Sequence, residues 1–231
     1  MKVSKPGRLS QSNPQILYAY LACLLTALAG LCSSASASES DTSRVVFETD
    51  LGNIVVQIHE AKAPRTSAYF LGFVDRGDYN GSTVYRAGSV DSGTEVQLIQ
   101  GGLYADIVTD PLRQGVGDIA VPMLAEFETT AESGLRHKGG TLSLARDLLA
   151  SGDAIPEFVF ILRDAPQLDS GSQGKLDTTG FPAFGEVIDG MEVVTAIAAQ
   201  DVSGETFIGF LEGQILAEPV IVKSVYRARD Q

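Results

Sequence analysis

The sequence predicts a mainly β domain, either a closed barrel or a sandwich, that carries two α-helices. Short runs rich in β-branched and aromatic residues outnumber helical patterns roughly three to one. Many short strands with so few helices cannot build a doubly wound α/β sheet. The 231 residues contain no internal repeat and no interdomain linker, so one domain is expected.

The first 37 residues have the order of a secretory signal peptide. Three basic residues lie among the first eight, an apolar run of 16 residues follows at 16–31, and small residues then lead to Ala37. This order predicts cleavage after Ala37. We expect an exported, periplasmic protein with a polar tail at 38–43 and a folded domain at 44–231. The alternative is a membrane-tethered protein, although the apolar run is shorter than the roughly 20 residues that span a bilayer.

The domain that would remain after cleavage is strongly acidic. It holds 14 basic against 29 acidic side chains, a net charge near −15, whereas the full chain has −12. Phosphate contacts need a basic surface, so nucleic-acid binding is not expected. The acidity is typical of a solvated surface that keeps a protein soluble, and attraction of basic partners is the alternative.

The sequence contains few residues that could form a disulfide or bind a metal. Cys23 and Cys32 both lie in the N-terminal segment, so no disulfide is expected in the mature domain. No spacing of His, Cys and carboxylates resembles a zinc site, and the sequence predicts neither a metal nor another cofactor. His137 stands beside Lys138 in a polar stretch and is predicted to be solvated.

The domain opens with a predicted hairpin. Residues 44–49 (RVVFET) and 54–59 (IVVQIH) are β-rich, and the Gly and Asn between them suit a tight reversal. A first helix is predicted to begin at Pro64, which fits the first helical position, and to end at Gly77, which can supply a left-handed stop. Between these two residues, aromatic and aliphatic side chains recur at helical spacing.

The remaining elements alternate with polar or Gly-rich loops. A second helix is predicted at 191–199, where Met191, Val194 and Ile197 form one apolar stripe. Asn80 and Gly81 predict a turn. The other strand-like runs lie at 82–86, 96–100, 140–145, 158–162 and 220–226.

Six segments carry a more specific signal. They run in order from AKAPRTSAYFLGFVDRGDYNGSTVYR through LIQGG, GLRHKGGTLSLAR, EFVFIL and FGEVIDGMEVV to EPVIVKSV. They lie at 61–225 and belong to a similarity that extends over about residues 44 to 227. These segments resemble the cyclophilin family of peptidyl-prolyl cis-trans isomerases. The resemblance implies a closed antiparallel cyclophilin-like β-barrel of about eight strands with two flanking α-helices. It also implies isomerase activity on proline-containing polypeptides.

The same resemblance implies the residues of the active site. Rotation of a prolyl amide passes a barrier of roughly 18–20 kcal/mol, and a guanidinium that donates to the nitrogen of the twisted amide lowers it. Arg86 matches the family's catalytic arginine, and Gln100 matches the glutamine that orients it and binds the peptide backbone. The positions that match the family's substrate-binding set are Gln97, Leu98, Ala145, Arg146, Glu157, Val159, Leu168 and Phe181.

The chain departs from the family where the proline ring would bind. Gln97 and Val159 stand where phenylalanine is usual. Glu157 replaces a glutamine, Gln167 an aromatic residue and Phe181 a histidine. Loss of one ring from a pocket weakens binding by about 1–3 kcal/mol, so activity on generic prolyl peptides is expected to be low. The candidates to refill the pocket are Tyr85, Tyr104, Phe158 and Phe160.

Two functions remain open at this point. One is a monomeric peptidyl-prolyl isomerase that assists the folding of exported proteins, in which prolyl isomerisation can be the slow step. The other is a catalytically weak or inactive peptide-binding module or chaperone on the same fold. In either case, the membrane would be contacted only through the N-terminal segment before cleavage.

Overall fold

The computed structural model describes residues 42–90, 95–110, 122–148, 150–172 and 178–228. The strands in these ranges are β1 (Ser43–Thr49), β2 (Gly52–Ile58), β3 (Thr83–Gly88), β4 (Leu98–Gly102), β5 (Thr141–Arg146), β6 (Ala154–Ile161), β7 (Ala183–Asp189) and β8 (Ile215–Arg227). They close into a barrel in the order β1-β2-β7-β5-β6-β4-β3-β8, and neighbouring strands are antiparallel. The predicted closed antiparallel barrel is therefore confirmed.

The described residues also form helices in the segments that connect the strands. They are α1 (Pro64–Arg76), α2 (Ala105–Thr109), α3 (Thr130–Ser133) and α4 (Met191–Ala198), with 3-10 turns at Pro166–Leu168 and Gly209–Leu211. The sequence predicted α1 and α4, whereas α2 and α3 are too short to show a helical period. None of these described helices combines the length and apolarity needed to cross a bilayer. The predicted signal segment, its cleavage site and most of the polar tail lie outside the described residues.

The first two strands form the predicted hairpin. They pair in register from Ser43 opposite Ile58 to Thr49 opposite Gly52. Val45 and Phe47 of β1 are buried, as are Ile54, Val56 and Ile58 of β2, and each alternates with more exposed neighbours. This period of two predicts strands with one face on the core.

The helix α1 has the bounds that its end residues predict. Pro64 occupies the first turn, and Gly77 ends the helix with φ +73°, where its N–H bonds to the carbonyl oxygens of Phe73 and Val74. A left-handed residue of this kind is the usual way to satisfy the last carbonyls of a helix. The buried face carries Phe70, Phe73 and Val74 onto the barrel.

An aromatic cluster fills the barrel interior. The ring of Phe47 lies 5.0 Å from that of Phe158, 5.2 Å from Phe160 and 6.1 Å from Phe70. Alternation along β6 turns Phe158 and Phe160 inward, whereas Glu157 and Val159 face the other side of the strand. Phe158 and Phe160 are therefore unable to refill the substrate pocket.

The seventh strand has no counterpart among the predicted strand runs. Residues 183–189 read AFGEVID, and their exposed acidic residues give a weak strand pattern. Pairing with β2 on one side and β5 on the other makes the segment a strand. Long-range pairing of this kind overrides weak local propensity.

The prediction that His137 is solvated is wrong. The residue is 1% exposed, its Nδ1 lies 2.8 Å from Oδ1 of Asp169, and its Nε2 lies 3.0 Å from Oγ of Ser143. Burial lowers the pKa of the imidazole from its ordinary value, and the contact with Asp169 raises it by less. Its polar flanking residues suggested exposure, but the loop folds back so that His137 contacts β5.

Candidate active site

One cavity of about 320 Å³ lies beside β3, β4, β5 and β6. Its lining includes both residues predicted to be catalytic, Arg86 and Gln100. It also includes six of the residues predicted to bind substrate, which are Leu98, Ala145, Arg146, Val159, Leu168 and Phe181. A volume of this size is at the lower end of the range of small-molecule and peptide-side-chain pockets, about 300–1,000 Å³.

Two of the predicted substrate-binding residues lie outside this lining. Gln97 turns its amide oxygen toward the hydroxyl of Ser89 and the N–H of Val90, each at 3.2 Å, and toward Nε2 of Gln167 at 3.3 Å. Glu157 is 0% exposed and lies beneath the site. The geometry therefore gives neither residue the substrate contact that the resemblance implied.

Arg86 is held from two sides. It lies on β3 opposite Gln100 on β4, and its Nη1 donates to Oε1 of Gln100 at 2.8 Å. From the other side, Oε1 of Gln214 accepts from both Nε at 3.1 Å and Nη2 at 2.8 Å, and the carbonyl of Ser89 lies 3.4 Å from Nη2. Burial lowers the pKa of the guanidinium from its ordinary value. Arginine nonetheless remains protonated in proteins.

Gln214 is a site residue that the sequence did not reveal. It precedes β8 and donates its own Nε2 to the carbonyl of Phe210 at 3.0 Å, which fixes the orientation of its amide. A Cβ on Gly88 would lie 1.9 Å from Oε1 of Gln214, so the glycine leaves the space that this side chain occupies. Gln214 and Arg86 are 128 positions apart in the sequence, so no local pattern could predict the contact.

A bulge in β3 gives Tyr85 hydrogen bonds at the site that the sequence did not predict. The register of β3 shifts between Val84 and Arg86 against both of its neighbours, which leaves Tyr85 at the irregularity. Bulges re-aim side chains in this way. The hydroxyl of Tyr85 accepts from Nε2 of Gln100 at 2.8 Å and donates to Oε2 of Glu157 at 2.6 Å.

Glu157 is a fully buried carboxylate at the end of this network. Its Oε1 accepts from the backbone N–H of Tyr104 at 2.7 Å, and Nε2 of Gln100 lies 3.4 Å from its Oε2. Burial raises the pKa of Glu157 to about 7, although the hydrogen bonds from Tyr85 and Tyr104 oppose the rise. The carboxyl thus changes charge near neutral pH.

The predicted apolar wall of the cavity forms one hydrophobic cluster. Leu98, Ala145, Val159 and Leu168 are buried together, with Phe181 packed against them. Arg146 borders this wall, with its guanidinium 5.8 Å above the Phe181 ring. It also donates to the carbonyls of Gly152 at 2.7 Å and Gly180 at 2.9 Å, so it is a fixed part of the wall.

A second part of the cavity lining was not predicted from the sequence. It is made by apolar side chains of α2 and of the segment before β8, which are Ile107, Val108, Ile208, Phe210 and Leu211. Phe210 is 63% exposed. Tyr85 and Tyr104 also line the cavity, so two of the four aromatic candidates to refill it are in place. These residues carry no shared motif, and the closure of the barrel brings them together.

The described part of the chain offers no metal centre, because none of its His, Cys, Asp and Glu side chains form a group of three or more suited to bind an ion. The site therefore consists of a guanidinium, two amides and a buried carboxyl beside apolar walls. Such a site can bind an apolar ring and donate a hydrogen bond to a polar atom next to that ring.

Known proteins share both the sequence pattern and the fold. Residues 44–225 match the family model described as cyclophilin type peptidyl-prolyl cis-trans isomerase/CLD. Peptidyl-prolyl cis-trans isomerase B of Escherichia coli is 31% identical over 183 residues, which cover 78% of this chain and 97% of that protein. Peptidyl-prolyl cis-trans isomerase A of Dickeya dadantii is 29% identical over 178 residues, covering 77% of this chain and 83% of that protein.

A solved structure of a cyclophilin type peptidyl-prolyl cis-trans isomerase from Cryptosporidium parvum has the same fold. It superposes with a TM-score of 0.58 at 17% identity and covers 82% of this chain and 99% of that one. A second structure of that protein, obtained in the presence of the dipeptide Ala-Pro, gives a TM-score of 0.57. The fold and the site define a closed-barrel isomerase. The chain belongs to the cyclophilin-type peptidyl-prolyl cis-trans isomerase family.

Proposed function

We propose that this protein accelerates cis-trans isomerisation of prolyl bonds in exported polypeptides, with Arg86 as the catalytic donor. The observation that carries the proposal is the position of the Arg86 guanidinium in the lining of an apolar cavity. The Ala-Pro dipeptide used with the Cryptosporidium parvum structure is consistent with a proline-containing ligand for the family.

The acceptors on the described residues leave one donor of the guanidinium for a substrate. Four of its five N–H groups have acceptors among the described residues, on Gln100, Gln214 and Ser89. The remaining N–H is on Nη1, beside Gln100. As the prolyl amide twists, its nitrogen regains a lone pair, and a donor held in place stabilises that state more than the planar ground state.

The apolar walls supply the binding energy for the proline ring. Leu98, Val159 and Leu168 form one side of the cavity, and Phe181 packs against them. Val159 offers less area than a phenylalanine, and Gln97 faces away from the cavity. We therefore expect turnover of short generic peptides about tenfold or more below that of a site with both rings.

A second candidate function is peptide binding without turnover. It is favoured by the two amides that already take most of the donors of Arg86. The same contacts are equally suited to preorganise the guanidinium for catalysis. Measured turnover therefore separates the two functions.

The test compares isomerisation rates of the full-length chain with those of an Arg86→Ala variant, on a short prolyl peptide and in refolding of a proline-limited protein. The matched control is Arg163→Ala, because Arg163 is an exposed arginine that pairs with Glu95. We expect Arg86→Ala to lower kcat/KM by at least tenfold and Arg163→Ala to leave it unchanged. Equal rates in wild type and Arg86→Ala would refute the catalytic role, and binding without turnover would favour the peptide-binding module.

Export to the periplasm is the second part of the proposal, and the order of residues in the first 37 supports it. Mass spectrometry of the N-terminus from fractionated cells would test it. A chain that begins at Ser38 in the periplasmic fraction is expected. A chain that still begins at Met1 in the membrane fraction would instead support the tethered form.

A further inference from the structure

We propose that Glu157 is a positioning residue whose charge state fixes the orientation of the Gln100 amide and thereby the position of the Arg86 guanidinium. The inference rests on the proposed catalytic role of Arg86. The inference adds that one buried carboxyl controls whether Arg86 is held in the position that this role requires.

A continuous chain of hydrogen bonds links the carboxyl to the guanidinium. Glu157 accepts from Tyr85 at 2.6 Å, Tyr85 accepts from Gln100 at 2.8 Å, and Gln100 accepts from Arg86 at 2.8 Å. The other carboxylate oxygen is fixed by the backbone N–H of Tyr104 at 2.7 Å. Tyr85, Gln100 and Glu157 are buried, so water does not substitute freely for a member of the chain.

The ionised carboxylate sets the direction of every bond in this chain. A carboxylate only accepts hydrogen bonds, so the single proton of the Tyr85 hydroxyl must point at Glu157. The hydroxyl oxygen is then an acceptor, and Gln100 must turn its NH₂ toward it. The amide oxygen of Gln100 consequently faces Arg86, as required to hold a cation.

Protonation of Glu157 at Oε2 removes this constraint. The new O–H points at the Tyr85 oxygen, and the Tyr85 proton must then find an acceptor on Gln100. The Gln100 amide meets this need by turning over, which brings its NH₂ against the guanidinium of Arg86. Two donors then face each other, and Arg86 keeps only the contacts with Gln214 and Ser89.

Among the described titratable groups that face the carboxyl, Glu157 itself is the one whose charge changes near neutral pH. Burial raises its pKa to about 7. Tyr85 of β3, Tyr79 after α1 and Tyr104 before α2 face it, and burial raises the pKa of each hydroxyl, to about 12 for Tyr104. The pKa of Tyr69, on α1, is also raised by burial. The charged group at the other end of the chain is Arg86, which stays cationic.

The first test is the pH profile of isomerase activity in full-length wild type and in Glu157→Gln, which keeps the shape but cannot ionise. We expect wild-type kcat/KM to rise about tenfold through one step near pH 7, the effect of one charge-assisted hydrogen bond. Glu157→Gln should be flat across the range. The matched control is Glu126→Gln, an exposed glutamate that should keep the wild-type step. A Glu157→Gln variant that retains the step would overturn the inference.

The second test does not need activity. The ¹⁵N resonances of the Gln100 side-chain amide and of Arg86 Nε are followed from pH 5.5 to 8.5, with assignment by substitution of each residue. Both should shift together near pH 7 in wild type. In Tyr85→Phe, which removes the linking hydroxyl but leaves Glu157 free to ionise and its 3.4 Å contact with Gln100 in place, the Arg86 shift should be strongly reduced. Resonances that do not titrate in wild type, or that titrate unchanged in Tyr85→Phe, would overturn the inference. If they titrate as expected while the protein shows no turnover at any pH, the proposed catalytic function fails instead.

Discussion

Replacing Glu157 by glutamine should change how the stability of the barrel depends on pH. Burial raises the pKa of this carboxyl from 4.5 to about 7 in the folded protein. Between these two values the folded state holds a proton that the unfolded state has lost, so the free energy of unfolding falls as pH rises. At 1.36 kcal/mol for each pKa unit, the full loss is about 3 kcal/mol. It is absent below about pH 4.5 and complete above about pH 7.

The neutral side chain of Glu157→Gln does not titrate and should not show this loss. We therefore expect the free energy of unfolding of the variant, relative to wild type, to increase by about 2.5 kcal/mol between pH 5 and pH 8, because part of the loss has already occurred at pH 5. His137 also contributes to the pH dependence. Burial lowers its pKa, so its contribution to stability is lost as pH falls below about 6.5. Both proteins contain His137, and its effect cancels in the difference between them.

Urea unfolding at pH 5, 6, 7 and 8, followed by far-ultraviolet circular dichroism, measures this difference, because the chain has no tryptophan to report on its core. Equal slopes against urea in both proteins would show that the denatured states are comparable. For the surface variant Glu126→Gln, the free energy of unfolding relative to wild type should vary by less than about 0.5 kcal/mol over the same pH range. A difference between Glu157→Gln and wild type that stays constant with pH would refute the raised pKa and the reasoning built on it.

Four further substitutions test other contacts. Gln214→Ala removes the acceptor of two Arg86 donors and should lower kcat/KM about tenfold. Gly88→Ala displaces the Gln214 side chain and should lower kcat/KM by a similar factor. If the double variant loses much more kcat/KM than either single variant, the two substitutions do not act through the same contact. Phe47→Ala removes a ring that contacts three others and should lower the free energy of unfolding by about 3–5 kcal/mol in urea. Asp169→Ala removes a partner that raises the pKa of His137, so the His137 pKa, followed by proton NMR, should fall further, and an upward shift would contradict the contact.

The helices and hairpins with strong local signals could be predicted from the sequence. Pro64 and Gly77 mark the ends of α1, because their backbone preferences fit those two positions. The turn between β1 and β2 and the alternation along both strands are equally local. The strand β7 lacked such a signal, because its place depends on neighbours that are distant in sequence.

The candidate site was only partly predictable. The order of the matching segments was enough to place Arg86 and Gln100 together, and the antiparallel register of β3 and β4 sets them opposite each other. The polarity of His137 and its neighbours suggested exposure, yet the fold buries it against Asp169. The Gln97 side chain contacts the loop after β3 and does not line the cavity, because its amide oxygen accepts from Ser89 and Val90.

The sequence alone determined the class of fold and the family, because strand alternation, helix ends and the six ordered segments can all be read locally along the chain. The tertiary structure decided what surrounds the guanidinium. The contact of Gln214 with Arg86 exists because the closed barrel brings β8 against β3. The raised pKa of Glu157 exists because strands and helices from several parts of the chain exclude water from one carboxyl. Burial and long-range contacts are properties of the closed barrel, and no single segment contains them.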